Sequence, residues 1–166
     1  MLEVTDDSGF LAVVVPATYH SFVACDWDFQ QLLNHFHQQM PQQSLLIWGT
    51  GREGTWNVDV RFKPSAVDGF REVSGPIRIE GESVLVTNYE SLTMAAQFED
   101  VRLPDKPQEH LVLTLPDGRY KCRIVQMFDP ENQESAEPGN PDFVVELCQA
   151  PVLPKPWSDV PWFSAK

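Results

Sequence analysis

Positive charge is scarce in this chain. Only 12 Lys and Arg stand against 24 Asp and Glu, a net charge of −12 at pH 7. The field outside the molecule therefore repels nucleic acid and anionic lipid and draws cationic partners. DNA or RNA binding is disfavoured, and the plainer reading of the acidity is solubility. Cysteine is scarce too: Cys25, Cys122 and Cys148 are odd in number and lack C-x-x-C spacing, so neither a disulfide framework nor a zinc ribbon is written here. Reduced thiols in a cytoplasmic setting are the expectation. Long apolar runs are missing as well. Phe10 to Val15 is six residues, far below the roughly 20 of a membrane helix, and acids precede it where a secretory signal needs basic residues. No targeting or membrane-spanning segment is expected.

Catalytic and cofactor signatures are equally thin. There is no G-x-S-x-G elbow, Walker loop, H-E-x-x-H or paired-carboxylate signature. Gly49-x-Gly51-x-x-Gly54 matches the dinucleotide fingerprint in letters and follows an apolar strand. That motif needs its third glycine to open a helix whose N–H groups hold a pyrophosphate, whereas Thr55 to Phe62 alternates as a strand. A glycine-rich hairpin loop is the expectation, and no cofactor is assigned. His35 and His37 are two apart on a helix, about 200° around it, and cannot ligate one metal from one face; with His20 and His110 they read as surface or capping residues. Cys122, on the apolar face of its strand, and Cys148 read as buried structural thiols, and two acids beside Cys25 oppose a thiolate there.

What is present is a strand-rich pattern. The 166 residues suit a single domain able to bury about 68 to 70% of its unfolded surface. Phe10 to Val15 reads as the first strand, buried on both faces. Phe29, Leu32, Leu33, Phe36 and Met40 make a helical stripe, predicting one principal amphipathic helix over Asp26 to Met40, capped by Asp26 or Asp28 and stopped at Pro41. Ser44 to Trp48 and Thr55 to Phe62 read as one hairpin. Phe70 to Thr87 reads as a second, with Ile77 and Ile79 facing Val84 and Val86 across Glu80-Gly81-Glu82-Ser83. The clearest signal is His110 to Phe128, where two alternating runs flank Pro116-Asp117-Gly118 and predict a third hairpin. Leu111, Leu113, Leu115 and Ile124 are expected in the core with Leu32, Leu33 and Phe36. Leu92, Met94, Ala96 and Phe98 also alternate, and read as a strand.

Beyond that stretch, Asp129 to Pro141 has three prolines, four acids and no large apolar residue, and is expected to be a mobile loop. Phe143, Val145 and Leu147 form a last strand pairing back on Tyr120 to Phe128. Residues 151–166 are a Pro/Trp-rich tail, expected to be ordered only where a groove receives its aromatics. The fold class expected is α+β: a mostly antiparallel sheet or β-sandwich of about seven to eight strands with one principal helix.

Tyr19-His20-Ser21-Phe22 after the first strand, the block Leu115-Pro116-Asp117-Gly118-Arg119-Tyr120, and the β run Ile77 to Val86 between them resemble the competence protein J type, small acidic proteins that inhibit a DNA-entry nuclease. The resemblance implies a β-rich binding protein without cofactor and transfers no site residue. Two classes stay open. In one, the chain is an acidic binding or regulatory protein without catalytic activity, an inhibitor or immunity protein for a basic enzyme. Glu80, Glu82, Glu99, Asp100 and Asp105, with Trp157 and Trp162, would then meet a protein partner with a basic surface. In the other, it is a small-ligand-binding or enzymatic β-rich domain with a pocket between sheet and helix. A monomer or a homodimer fits either.

Overall fold

Six consecutive apolar residues can satisfy a strand only if neighbours cover both its edges and both its faces. In the computed structural model, which describes residues 1–163, Phe10–Val14 (β2) is such a strand, with all five residues buried. It pairs antiparallel with β3 (Leu45–Gly49) on one side and β6 (Ser83–Asn88) on the other, and β7 (Val112–Thr114) extends this smaller sheet in the order β3-β2-β6-β7. A larger sheet holds β1 (Leu2–Asp6), β4 (Gly54–Arg61), β5 (Arg71–Ile79), β8 (Gly118–Gln126) and β9 (Phe143–Gln149) in the order β1-β4-β9-β8-β5. All its pairs are antiparallel except β4 with β9. One core joins the sheets: the Trp48 ring of β3 lies 6.1 Å from Phe143 of β9, which lies 5.3 Å from Trp56 of β4. The class is α+β as expected, with nine strands among the described residues in place of seven or eight. Leu2–Asp6 precedes Phe10–Val14, so the strand read as first is the second.

The three predicted hairpins are all corrected in the same way. Each turn carries the chain from one sheet to the other. The loop after Trp48 leads from β3 to β4, Glu80 to Ser83 from β5 to β6, and Pro116 to Gly118 from β7 to β8. Strands on either side of such a corner face the same core, so their alternation is identical to that of a hairpin; what differs is the hydrogen-bonding partner, which alternation does not encode. Two of the corners are neighbours. Glu82 N–H donates to Asp117 Oδ1 at 2.7 Å, and the Tyr120 hydroxyl ties its corner by donating to the Pro116 carbonyl at 2.7 Å. Leu111, Leu115 and Ile124 are buried as expected, but Leu113 is only half-buried because β7 is a three-residue edge strand. The expected pairing of Phe143 to Leu147 on Tyr120 to Phe128 is present in β8 and β9.

The principal helix, α1, spans Phe29–Gln39 and continues into one 3-10 turn at Met40–Gln42. Asp28 caps it: its carboxylate accepts from Gln31 N–H at 2.8 Å while Gln31 Oε1 accepts from Asp28 N–H at 2.9 Å, a reciprocal capping box. Leu32, Leu33, Phe36 and Met40 are buried, and so is His35, which the sequence had placed at the surface. A second helix, α2 (Tyr89–Gln97), replaces the strand read from Leu92 to Phe98. Asn88 caps it by accepting from Ser91 N–H at 3.0 Å, and the residues it buries, Leu92, Ala95 and Ala96, follow i, i+3, i+4 rather than alternation.

The tail lies along the open side between the two sheets. Trp157 is buried, and its indole N–H donates to the Ser74 carbonyl of β5 at 2.8 Å. Gly75 beside it leaves room for the ring, since a Cβ there would stand 2.8 Å from Trp157 Cε2. Four residues on, the Pro161 carbonyl accepts from Gly49 N–H of β3 at 2.9 Å. The tail thus bridges an edge strand of each sheet, covering edges that would otherwise be open to other chains. Residues 164–166 of the tail lie outside the described residues.

Candidate functional site

Where the tail crosses the end of β3, five separate segments enclose a cleft of about 740 Å³ lined by residues of 7–10, 49–53, 70–71, 129–131 and 162–163. Its floor depends on two glycines of the apparent dinucleotide motif. A Cβ on Gly49 would stand 2.6 Å from the Trp162 carbonyl oxygen, and one on Gly51, whose φ is +96°, would stand 2.5 Å from Pro130 Cγ. The glycines therefore admit the tail and the acidic loop at close range, and no helix follows them: Gly54–Arg61 is β4. The loop joins two sheets, so it is a crossover and not the expected hairpin loop.

A buried chain of polar groups fixes the base of the cleft. Asp6 is buried, and its Oδ1 accepts from Ser8 and Gly9 N–H, each at 2.9 Å, bending the chain from β1 into β2. Burial raises its carboxyl pKa against the pull of those N–H groups. The Thr50 hydroxyl lies 3.2 Å from Asp6 Oδ2 and 2.6 Å from the Arg52 carbonyl. The Thr50 carbonyl accepts from Gln126 Nε2 at 2.8 Å, and Gln126 Oε1 accepts from Arg71 Nε at 2.7 Å. Gln126 thus belongs to the buried face, as its alternation with Tyr120, Cys122 and Ile124 predicts, with its amide nitrogen and oxygen each hydrogen-bonded.

Two arginines face inward. Arg71 lies 4.4 Å beneath the Trp162 ring and 5.6 Å from the Phe70 ring, while its Nη2 is buried with no hydrogen-bond partner. Burial lowers its pKa, opposed by the charges of Asp129 and Glu131. Arg52 stacks 4.7 Å over Trp56, and its guanidinium donates to the carbonyls of Glu53 and Glu134. Asp7, Glu53, Asp129 and Glu131 complete the lining, with Phe70 exposed and Trp162 and Phe163 half-buried. Phe163 also packs on Phe10 at 5.0 Å and on Phe29 at 5.9 Å.

Of the partner-binding residues singled out in sequence, Trp162 alone lies in this cleft. Trp157 is taken up by the core. Glu80 and Glu82 stand at the β5–β6 corner next to Asp117, and Glu80 is paired with Arg78 at 3.1 Å. Glu99 and Asp100 are exposed just after α2, with Asp105 half-buried before a 3-10 turn at Lys106–Leu111. Asp7, Glu53, Arg71 and Phe70 escaped the sequence reading because only the fold brings them together; the spaced glycines were the one signal of close chain approach.

The histidines and cysteines form no second centre. His35 Nε2 and the Tyr19 hydroxyl are both buried without partners, their rings 5.6 Å apart, and His20 lies 6.3 Å from His35. Burial pushes the Tyr19 phenol pKa up and the His35 imidazole pKa down, the latter helped by His20. Burial likewise raises the thiol pKa values of Cys122 and Cys148, with Glu146 adding to the effect at Cys148. Among the described residues no group of three or more His, Cys, Asp or Glu could hold a metal ion, and no helix is long and apolar enough to cross a membrane.

No known protein family matches this sequence, and no curated protein does. Its fold is similar to that of a solved structure described as crocagin biosynthetic gene J, 16% identical over 89% of this chain and 92% of that one, with a TM-score of 0.59. It is also similar to that of ComJ from Bacillus subtilis, an inhibitor of the DNA-degrading activity of NucA, 10% identical over 90% and 94% of the two chains, with a TM-score of 0.55. At such identities the likeness is one of fold, and at that level the resemblance read from Tyr19 to Phe22 and Leu115 to Tyr120 is borne out.

Proposed function

We propose that this chain is an acidic binding protein that engages a protein partner through complementary charge, as an inhibitor or immunity protein of a basic enzyme such as a nuclease. The observation that carries this reading is the fold shared with ComJ across about nine-tenths of both chains, taken with a net charge of −12. Glu80, Glu82, Glu99, Asp100 and Asp105 are assigned to steering that partner, since acids on two separate segments speed encounter more than they add affinity. Trp162 is assigned to the contact itself, and Trp157 to holding the tail in place. Three unpaired thiols suit a reducing, cytoplasmic setting, and the same acidity that attracts a basic partner disfavours nucleic acid.

The immobilised protein, offered a lysate of its own source, is expected to retain a basic protein whose association slows steeply from about 0.1 to about 1 M salt, as the screening length shrinks from about 10 to about 3 Å. Purified, that partner should lose its activity at a one-to-one ratio. Retention indifferent to salt, or a partner whose activity is untouched at saturation, would overturn the reading.

A further inference from the structure

We propose that the cleft beside Trp162 receives the side chain of an arginine or lysine projecting from the basic protein partner. This rests on the reading above and places its contact. Four carboxylates line the cleft, those of Asp7, Glu53, Asp129 and Glu131, against the guanidiniums of Arg52 and Arg71. None of the four acids belongs to a salt bridge among the described residues; Asp129 and Glu131 act in part on Arg71, and the charges of Asp7 and Glu53 are left to act on an incoming group. Both arginines are half-buried and already have partners in the chain. Arg52 ends on two backbone carbonyls, and Arg71 is held by Gln126 below and Trp162 above.

The walls select the ligand further. Phe70 is 49% exposed and stands with Trp162 and Phe163 around the opening, so the site offers ring faces together with carboxylates. That combination matches a cation carried on an aliphatic stem, which gains from the ring quadrupole and from the apolar contact of the stem. An anion would meet the four carboxylates, and of the Arg71 guanidinium Nε is taken by Gln126 and Nη2 is buried beneath Gly51 and Pro130. A neutral apolar ligand would desolvate those same carboxylates without return.

The test uses the intact ¹⁵N-labelled protein, reading the Trp162 indole N–H by NMR after assignment with Trp162→Phe. Acetyl-Gly-Arg-Gly-amide and its Lys counterpart are titrated beside the Gln and Glu peptides. The Arg and Lys peptides are expected to shift the Trp162 signal saturably with a Kd of about a millimolar, and the Gln and Glu peptides to leave it in place. Neutralising the exposed carboxylates with Asp7→Asn, Glu53→Gln and Glu131→Gln together should weaken the Arg peptide about tenfold. Removing as many charges elsewhere, with Glu3→Gln, Asp26→Asn and Glu109→Gln, exposed acids outside the cleft lining, should change it less than about twofold. A Trp162 signal unmoved by the Arg peptide, an equal response to the Glu peptide, or equal weakening by both triple variants would overturn the proposal. The peptide series needs no variant, so misfolding cannot obscure it. A nil result here with a basic partner still captured in a salt-dependent way removes the cleft and leaves the inhibitor reading standing.

Discussion

Trp157→Ala tests whether the tail is part of the folded body. The indole is 8% exposed and its N–H reaches the Ser74 carbonyl at 2.8 Å. Burying such a ring removes about 150 to 250 Å² from water, which at about 25 cal/mol per Å² sets an upper bound of about 4 to 6 kcal/mol. Measured truncations of buried Trp fall at about 3 to 5 kcal/mol. A tail segment differs from a core strand in one respect: it can peel away, so no substitution within it can destabilise the protein by more than the whole tail contributes. We therefore expect Trp157→Ala to lose about 3 kcal/mol in urea unfolding, and a chain ending at Pro151 to lose at least as much. At roughly 2 to 4 °C per kcal/mol for a domain of this size, the melting point should fall by about 6 to 12 °C. Trp157→Phe, which keeps most of the ring and loses the N–H bond, should lose about 1 kcal/mol. A loss under about 1 kcal/mol for Trp157→Ala, or a substitution that costs more than the truncation, would refute the reasoning.

Three further outcomes are expected. Folding favours neutral His35, whose pKa burial lowers from 6.5 in the folded state; the stability tied to it is full above that value and is lost as pH falls below it toward the folded pKa. Urea unfolding of wild type and His35→Phe between about pH 7.5 and about pH 5 should therefore show a steeper loss in the wild type, and parallel curves would show that the imidazole does not titrate with folding. Glu146 is buried, bonded by Arg123 at 3.1 Å, an arginine also held by Glu72 at 2.7 Å, and accepts from the Ser65 hydroxyl; Arg123→Met should destabilise by about 3 kcal/mol by leaving that carboxylate without a counter-charge, and a change under about 1 kcal/mol would show that Ser65 and water replace the arginine. Limited proteolysis should cut first within residues 131–140, nearly all exposed, and an early cut anywhere in the two sheets would refute this.

How much of this could be read beforehand follows from what each pattern encodes. Alternation placed Tyr120, Cys122, Ile124 and Gln126 on one buried face, correctly, because a strand's period reports burial of a side. It could not say whether Leu111 to Leu115 lies beside them or opposite, since both arrangements bury the same residues. In Tyr89 to Gln97, Leu92 serves either period, and the decision came from Asn88 as a cap and from Ala95 and Ala96 packing side by side. Leu2–Asp6 was passed over because two apolar residues, Leu2 and Val4, among acids are a weak signal, made into a strand by pairing with β4. The cleft was illegible for a different reason. Asp7, Gly51, Phe70, Glu131 and Trp162 share no segment, and only the glycine spacing hinted that other parts of the chain come close.

The place of β9 in the larger sheet has a consequence for the order in which this chain can fold. β1 with β4 and β5 with β8 are two separate antiparallel pairs, and β9 alone joins them, parallel to β4 and antiparallel to β8. A ribosome moving from the N-terminus delivers that joining strand near residue 149, after every other strand and both helices have been made. Until then the nascent chain holds two ribbons with open edges, the condition in which growing chains pair with one another. A chain stopped before Phe143 is expected to be cleared or to aggregate rather than persist as a smaller functional protein.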